Sequence, residues 1–343
     1  MISIVGISGS LRKGSYNRAV LRAAGSGMSL SRPRHLMFAA IVAFAFVSGC
    51  TRVPTVAVTP IKAKNLSELQ THLAQRTSTD VDVFRARGPF SVTVHDDREL
   101  RVSGNQRIAM DVYLSAPPEK APLVVFLHGY DSSKGAHAYQ AMHLASWGLH
   151  CITVQLPAHG PWISNGRMLA TIVRAIQRAP QVIDPRVDPG RIVLVGHSFG
   201  ASAVAVALAD GAPAMGGILL DPAAIGRDLP QYLRRVSKPV MVLGADDDLS
   251  SARNRDYFYE YIRTGIAEVS IRDATHEDAQ FPSEFSLHNF GFDPDTTEDA
   301  QLAFVSALTA AAMSLVTTGA FERAWTTFRP ALADGKFFNP RKK

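Results

Sequence analysis

Six short runs of continuous apolar residues frame this chain: Leu123–Leu127, Cys151–Val154, Ile192–Val195, Gly217–Leu220, Val240–Leu243 and Val269–Ile271. A strand that is apolar on both sides must be covered on both faces, which is the condition of a parallel sheet clothed by helices. Segments 136–147, 167–178, 199–208 and 251–263 carry helical patterns between the runs, and 301–316 follows the last. Upstream, Phe90–Val94 and Ile108–Leu114 alternate, as strands with one wet face do, and the turn signal Ser103-Gly104-Asn105 between them predicts an antiparallel pair. Together these elements predict an α/β fold, a doubly wound, mostly parallel sheet of eight strands over residues 90–320. With 46% hydrophobic and 19% charged residues in 343, disorder, collagen and a multi-pass membrane protein are excluded. The two cysteines, Cys50 and Cys151, are too few for a disulfide scaffold or a Cys-based zinc site.

The net charge of +6 has a local origin. Residues 1–49 hold Arg12, Lys13, Arg18, Arg22, Arg32 and Arg34 and no acid, and without those six the chain has 30 basic and 30 acidic residues. The body therefore carries no electrostatic footprint for nucleic acid. Within 28–49, Arg32, Arg34 and His35 precede the apolar run Leu36–Val47, and Val47-Ser48-Gly49-Cys50 follows. That order reads as a secretion signal, and its end resembles a bacterial lipobox, which implies cleavage before Cys50 and a lipid on its thiol. The expected location is the bacterial cell envelope, lipid-anchored on the outer membrane or the periplasmic face. Thr51, not aspartate, follows the cysteine.

Residues 1–27 open Met1-Ile-Ser-Ile-Val-Gly6-Ile-Ser-Gly-Ser10-Leu-Arg-Lys-Gly-Ser15-Tyr-Asn-Arg18, which resembles the start of NADPH-dependent FMN reductases. The likeness covers one strand, one loop and one turn. One such unit cannot bury its own faces, so no FMN site and no other cofactor is expected. The segment reads as a fusion scar, tag or mis-assigned start. Residues 50–89 read as a tether with a short helix around Leu66, Leu69 and Leu73, and 321–343 as a C-terminal tail.

The run Ile192–Val195 leads directly into Gly196-His197-Ser198-Phe199-Gly200, and a helical pattern begins at once. This is G-x-S-x-G between strand and helix, the context in which a serine hydroxyl stands at the sheet edge on a sharp turn. Such a serine is a weak nucleophile until a base takes its proton. His276 is the candidate base, in the loop after Val269–Ile271. The candidate acid lies in Gly244-Ala-Asp-Asp-Asp248, where the resemblance to a Gly-x-x-Asp pattern ranks Asp247 first, Asp248 as the alternative and Asp246 third. Two backbone N–H groups are needed for the oxyanion, and Phe199 and Tyr130 are the candidates. His197, inside the turn, and Trp162, in the loop after the fourth strand, are candidate pocket walls. No metal-ligand spacing such as HExxH is present.

The ordered motifs His128-Gly129-Tyr130, GHSFG, GADD and the late His276 resemble the α/β-hydrolase superfamily over residues 90–318. The short stretch Pro222–Lys238 and the lack of an inserted lid are similar to its dienelactone hydrolase and cutinase-like polyesterase group. The resemblance implies a serine hydrolase acting on a small-molecule ester through an acyl-enzyme. The chain departs from the polyesterases in lacking their C-terminal disulfide and the usual tryptophan after the elbow histidine position, which gives no support to plastic-type substrates. A dehalogenase would need aspartate at position 198. A non-catalytic, membrane-anchored lipoprotein that keeps the scaffold for binding is the competing reading.

Overall fold

The computed structural model describes residues 61–75, 80–104, 106–117, 119–156, 162–224, 226–246, 254–282 and 295–343. The expected signal, the lipidation candidate Cys50 and the FMN-reductase-like segment lie outside the described residues. One sheet organises the described chain. Its strands are β1 (Val92–Ser103), β2 (Gln106–Ser115), β3 (Ala121–Leu127), β4 (His150–Gln155), β5 (Val187–His197), β6 (Gly216–Leu220), β7 (Val240–Gly244), β8 (Ile266–Ile271) and β9 (Phe337–Lys342). They lie in the order β1-β2-β4-β3-β5-β6-β7-β8-β9. Pairing from β4 through β8 is parallel, while β1, β2 and β9 join antiparallel at the edges.

Every residue of β3, β6, β7 and β8 is buried, as continuous apolar runs require. Alternate side chains feed two cores. Val124, Phe126, Val193, Val195 and Leu243 point toward the layer of α2 (Ala138–Ser146), α7 (Glu298–Thr318) and α8 (Glu322–Ala333). Leu123, Val125, Leu127, Leu194 and Val242 point toward α3 (Trp162–Arg178), α4 (Phe199–Ala209), α5 (Leu229–Leu233) and α6 (Asn254–Tyr261). Each such side chain contributes roughly 1.5–3 kcal/mol when fully removed from water. Helix α4, FGASAVAVALA, is apolar all round, and Gly200–Leu208 is buried throughout, as a helix without a polar face must be. Helix α7 is long and apolar enough to cross a membrane, yet 83% of its apolar window is buried in the fold, so here it serves as a core helix.

One segment folds more than the sequence leads us to expect, and the short helix expected before β1 is present. The stretch 321–343, expected as a tail, forms α8 and β9, so the sheet has nine strands instead of eight. Phe328 of α8 and Phe337 of β9 are buried and pack edge to face, centroids 5.4 Å apart. The Lys/Arg-rich end masked that strand: Arg341 reaches back to Glu268 of β8 with two 3.0 Å hydrogen bonds. Before β1, helix α1 (Leu66–Gln75) buries Leu66 and Leu69 in the same core as α2 and α7.

The winding fixes where chemistry gathers. The chain leaves β3 for β4 on one side and then places β5 on the other. In open α/β sheets, ligands bind outside the carboxyl ends of strands where the winding reverses. The loop after β3 and the turn after β5 meet there, since Leu127 is in register with Gly196.

Candidate active site

The turn after β5 is a strained elbow. Ser198 has φ 54° and ψ −121° and caps α4. A non-glycine residue at positive φ is uncommon and needs support from its surroundings. Support comes from backbone bonds. Ser198 N–H donates to Leu220 O at 3.1 Å, and Ser198 C=O accepts from Ala201 at 3.1 Å and Ala223 at 3.2 Å. The two glycines of the motif are needed for space. A Cβ on Gly196 would lie 2.3 Å from Gly200 O, and one on Gly200 would lie 2.5 Å from both Leu127 O and His128 O. Strand, helix and the β3 loop are therefore packed backbone to backbone.

Register carries the next groups to the same edge. His197 pairs with Leu220 across β5 and β6, and Leu220 with Leu243 across β6 and β7. The residue after Leu220 is Asp221, which stands beside the elbow. Its N–H donates to Leu243 O at 2.8 Å, and its φ is 33°. Oδ1 of Asp221 accepts from Ala245 N–H at 2.9 Å, with Arg255 Nη1 3.6 Å away. Oδ2 takes the 2.6 Å hydrogen bond of His276 Nδ1. Asp221 is 3% exposed and His276 5%, so this pair is shielded from water.

His276 opens a short 3₁₀ turn, His276–Ala279, that is held from several sides. Asp278 closes a capping box with Thr275, accepting its N–H at 2.8 Å, and its other oxygen accepts Thr297 N–H at 2.9 Å. Gln140 of α2 donates to Ala279 O at 3.0 Å. His197 Nε2 donates to His276 O at 3.0 Å, and the two rings sit 4.4 Å apart. A carbonyl only accepts, so His197 carries its proton on Nε2. Burial, then the neighbouring charges of His276 and His137, hold the His197 pKa well below the usual histidine range. His137 is pushed down to about 4 by burial. Both imidazoles are neutral at pH 7 and serve as packing around the pair.

The β3 loop meets the elbow from the other side. A Cβ on Gly129 would lie 3.2 Å from both His197 Nδ1 and Ser198 Cβ, so a larger residue here would press on the elbow. Tyr130 follows it, 56% exposed, its ring edge-on to that of Phe199 with centroids 5.5 Å apart. The Phe199 N–H belongs to the first turn of α4, where backbone donors have no intrahelical acceptor. The helix dipole adds a positive potential at the same end.

The sequence-expected residues thus fall in three groups. Ser198, His276, Tyr130, Phe199 and His197 gather at one sheet edge through the contacts above. Trp162 is the first residue of α3 and is buried, its ring edge-on to Tyr232 at 6.1 Å in the α3–α4 core. Asp247 and Asp248 lie outside the described residues, and Asp246 turns to Asp273 N–H at 3.0 Å and Arg272 at 3.4 Å. His276 takes a different carboxylate, Asp221. The Gly-x-x-Asp resemblance drew attention to the loop after β7 and away from the end of β6. The signal was present: an aspartate directly at the carboxyl end of the apolar run Gly217–Leu220, followed by Pro222.

Among the described residues, no group of three or more His, Cys, Asp or Glu side chains is arranged to hold a metal ion. A model of the alpha/beta hydrolase family matches residues 124–336. The chain is 26% identical over 204 residues to a bis(hydroxyethyl) terephthalate hydrolase of Streptomyces coelicolor, covering 58% of this chain and 64% of that protein, just under two thirds of its length. It is 24% identical over 213 residues to cutinase 1 of Thermobifida cellulosilytica and to a cutinase of Thermobifida fusca, covering 60% of this chain and 79% and 68% of those proteins. The matched span runs from β3 into the turn before β9 and contains the elbow, Asp221 and His276; the chain belongs to the alpha/beta hydrolase family.

Proposed function

We propose that this chain is a carboxylic ester hydrolase working by a Ser198–His276–Asp221 triad. The observation that carries the reading is the buried 2.6 Å bond from His276 Nδ1 to Asp221 beside a serine strained at positive φ. With Nδ1–H committed to the carboxylate, neutral His276 keeps its lone pair on Nε2, the nitrogen that serves as base. Ser198 Oγ attacks the ester carbonyl as its proton passes to His276 Nε2. The tetrahedral oxyanion is received by the N–H groups of Tyr130 and Phe199. The C–O bond to the alcohol then breaks, and the alcohol leaves with the proton from His276. Water, deprotonated by the same imidazole, releases the acyl group from Ser198 as a carboxylic acid. Asp221 holds the tautomer and stabilises the imidazolium. The names of the relatives, cutinases and a terephthalate ester hydrolase, support ester substrates. A fluorophosphonate probe labels only an activated serine; one labelled peptide, containing Ser198, is the expected result, and an unlabelled protein would return the chain to the binding-scaffold reading.

The lipobox-like string ending at Cys50 is part of the same proposal and places the hydrolase on a membrane surface in the cell envelope. Cys50→Ser should move the protein from the membrane to the soluble fraction and remove its acyl mass. Retention on the membrane without a lipid adduct would refute the anchor.

A further inference from the structure

The loop that carries Tyr130 is held by a chain of hydrogen bonds that reaches out of the site. Lys134 N–H donates to Gln155 Oε1 at 3.0 Å. Gln155 Nε2 sits 3.0 Å from His128 Nε2, and His128 Nδ1 sits 2.8 Å from Gly129 O. Donor and acceptor along this chain follow from its first member. A backbone N–H can only donate, so the oxygen of the Gln155 amide faces Lys134 and its NH₂ faces His128. His128 Nε2 must then accept, and Nδ1 must hold the proton that Gly129 O receives. The outer end is fixed by charge: the Lys134 ammonium lies 2.6 Å from buried Asp111 and 2.9 Å from Asp97.

We infer that Gln155, at the end of β4, is a positioning residue that sets the tautomer of His128 and so aims the Tyr130 oxyanion donor. Gly129 C=O and Tyr130 N–H belong to one planar peptide unit, and the only cis peptide bond among the described residues is Phe281–Pro282. In a trans unit the two groups point in opposite directions, so pinning the carbonyl fixes the direction of the N–H. An oxyanion donor is worth most when it needs no reorientation as charge develops. This inference rests on the esterase reading and deepens it. The Gln155 amide bonds Lys134 and His128 and acts on the site through His128.

Two substitutions test it, with p-nitrophenyl acetate as substrate and phenylboronic acid as the tetrahedral mimic. Gln155→Leu breaks both bonds of the amide. It should lower kcat by roughly 10²-fold with little change in KM, and weaken phenylboronic acid by a similar factor. Gln155→Glu still accepts the Lys134 N–H but offers His128 Nε2 only an acceptor. His128 then keeps its bond to Gly129 O only when doubly protonated. The kcat of this variant should fall as pH rises through the titration of His128, a limb that the wild type lacks. The titratable groups near His128 are His137 and His197, both neutral, and beyond Gln155 the ion pairs of Lys134 with Asp97 and Asp111. The glutamate variant carries the test if the leucine variant fails to fold. Wild-type kcat and boronate affinity in these variants, with fluorophosphonate labelling of the wild type intact, would overturn the positioning role alone. Absence of labelling in the wild type would remove the esterase reading and this inference together.

Discussion

Ser198→Ala should lower kcat on p-nitrophenyl acetate by about 10⁶-fold, leaving the residual rate that oxyanion donors and binding supply without a nucleophile. The fold should be unaffected. The elbow is held by the backbone bonds of Ser198 to Leu220, Ala201 and Ala223, and alanine keeps all three. Its Cβ already exists in serine, so the tight packing of Gly129 and Gly200 around the turn is undisturbed. Unchanged thermal unfolding with activity lost is therefore the expected pair of results. Near-wild-type turnover by the variant would defeat the nucleophile assignment outright.

The second large effect separates two carboxylates. Asp221→Asn keeps the volume of the side chain and an oxygen for Ala245 N–H. Its NH₂ then faces His276 Nδ1, which must accept. The imidazole is driven to the other tautomer, with the proton on Nε2, where it cannot take the serine proton. Replacing a triad acid by its amide in this way costs about 10⁴ in kcat. The same change at Asp247 or at Asp248 should leave most of the rate in place. Steady-state kinetics on the three variants decides the matter: a collapse at Asp247 or Asp248, with Asp221→Asn active, would return the acid to the loop after β7.

Most of the architecture is legible in the sequence because it follows from local pattern. Continuous apolar runs demand cover on both faces, and the all-apolar stretch 199–208 can only be an internal helix; the alternation over Ile108–Leu114 misled, since β2 lies between β1 and β4 with Met110–Ser115 all buried. The elbow is legible for the same reason: strand, G-x-S-x-G and helix are contiguous, and its glycines answer to contacts within the turn and with the β3 loop. Strand β9 is less visible, since Asn339, Pro340, Arg341 and Lys342 look like a solvated end until Glu268 of β8 appears as their partner.

The sequence by itself determined the fold class, the strained serine and the histidine that arrives after β8, because each is specified by residues adjacent in the chain. Only the tertiary structure decided which carboxylate meets His276 and what holds the loop after β3. Several aspartates follow strand ends, and nothing local distinguishes them. The choice depends on register, through which Leu220 sits between His197 and Leu243 and sets Asp221 beside the imidazole. The Lys134–Gln155–His128 chain is hidden for the same reason: Gln155 ends β4 while His128 and Lys134 lie in the connection after β3, and they meet only when those two strands pair.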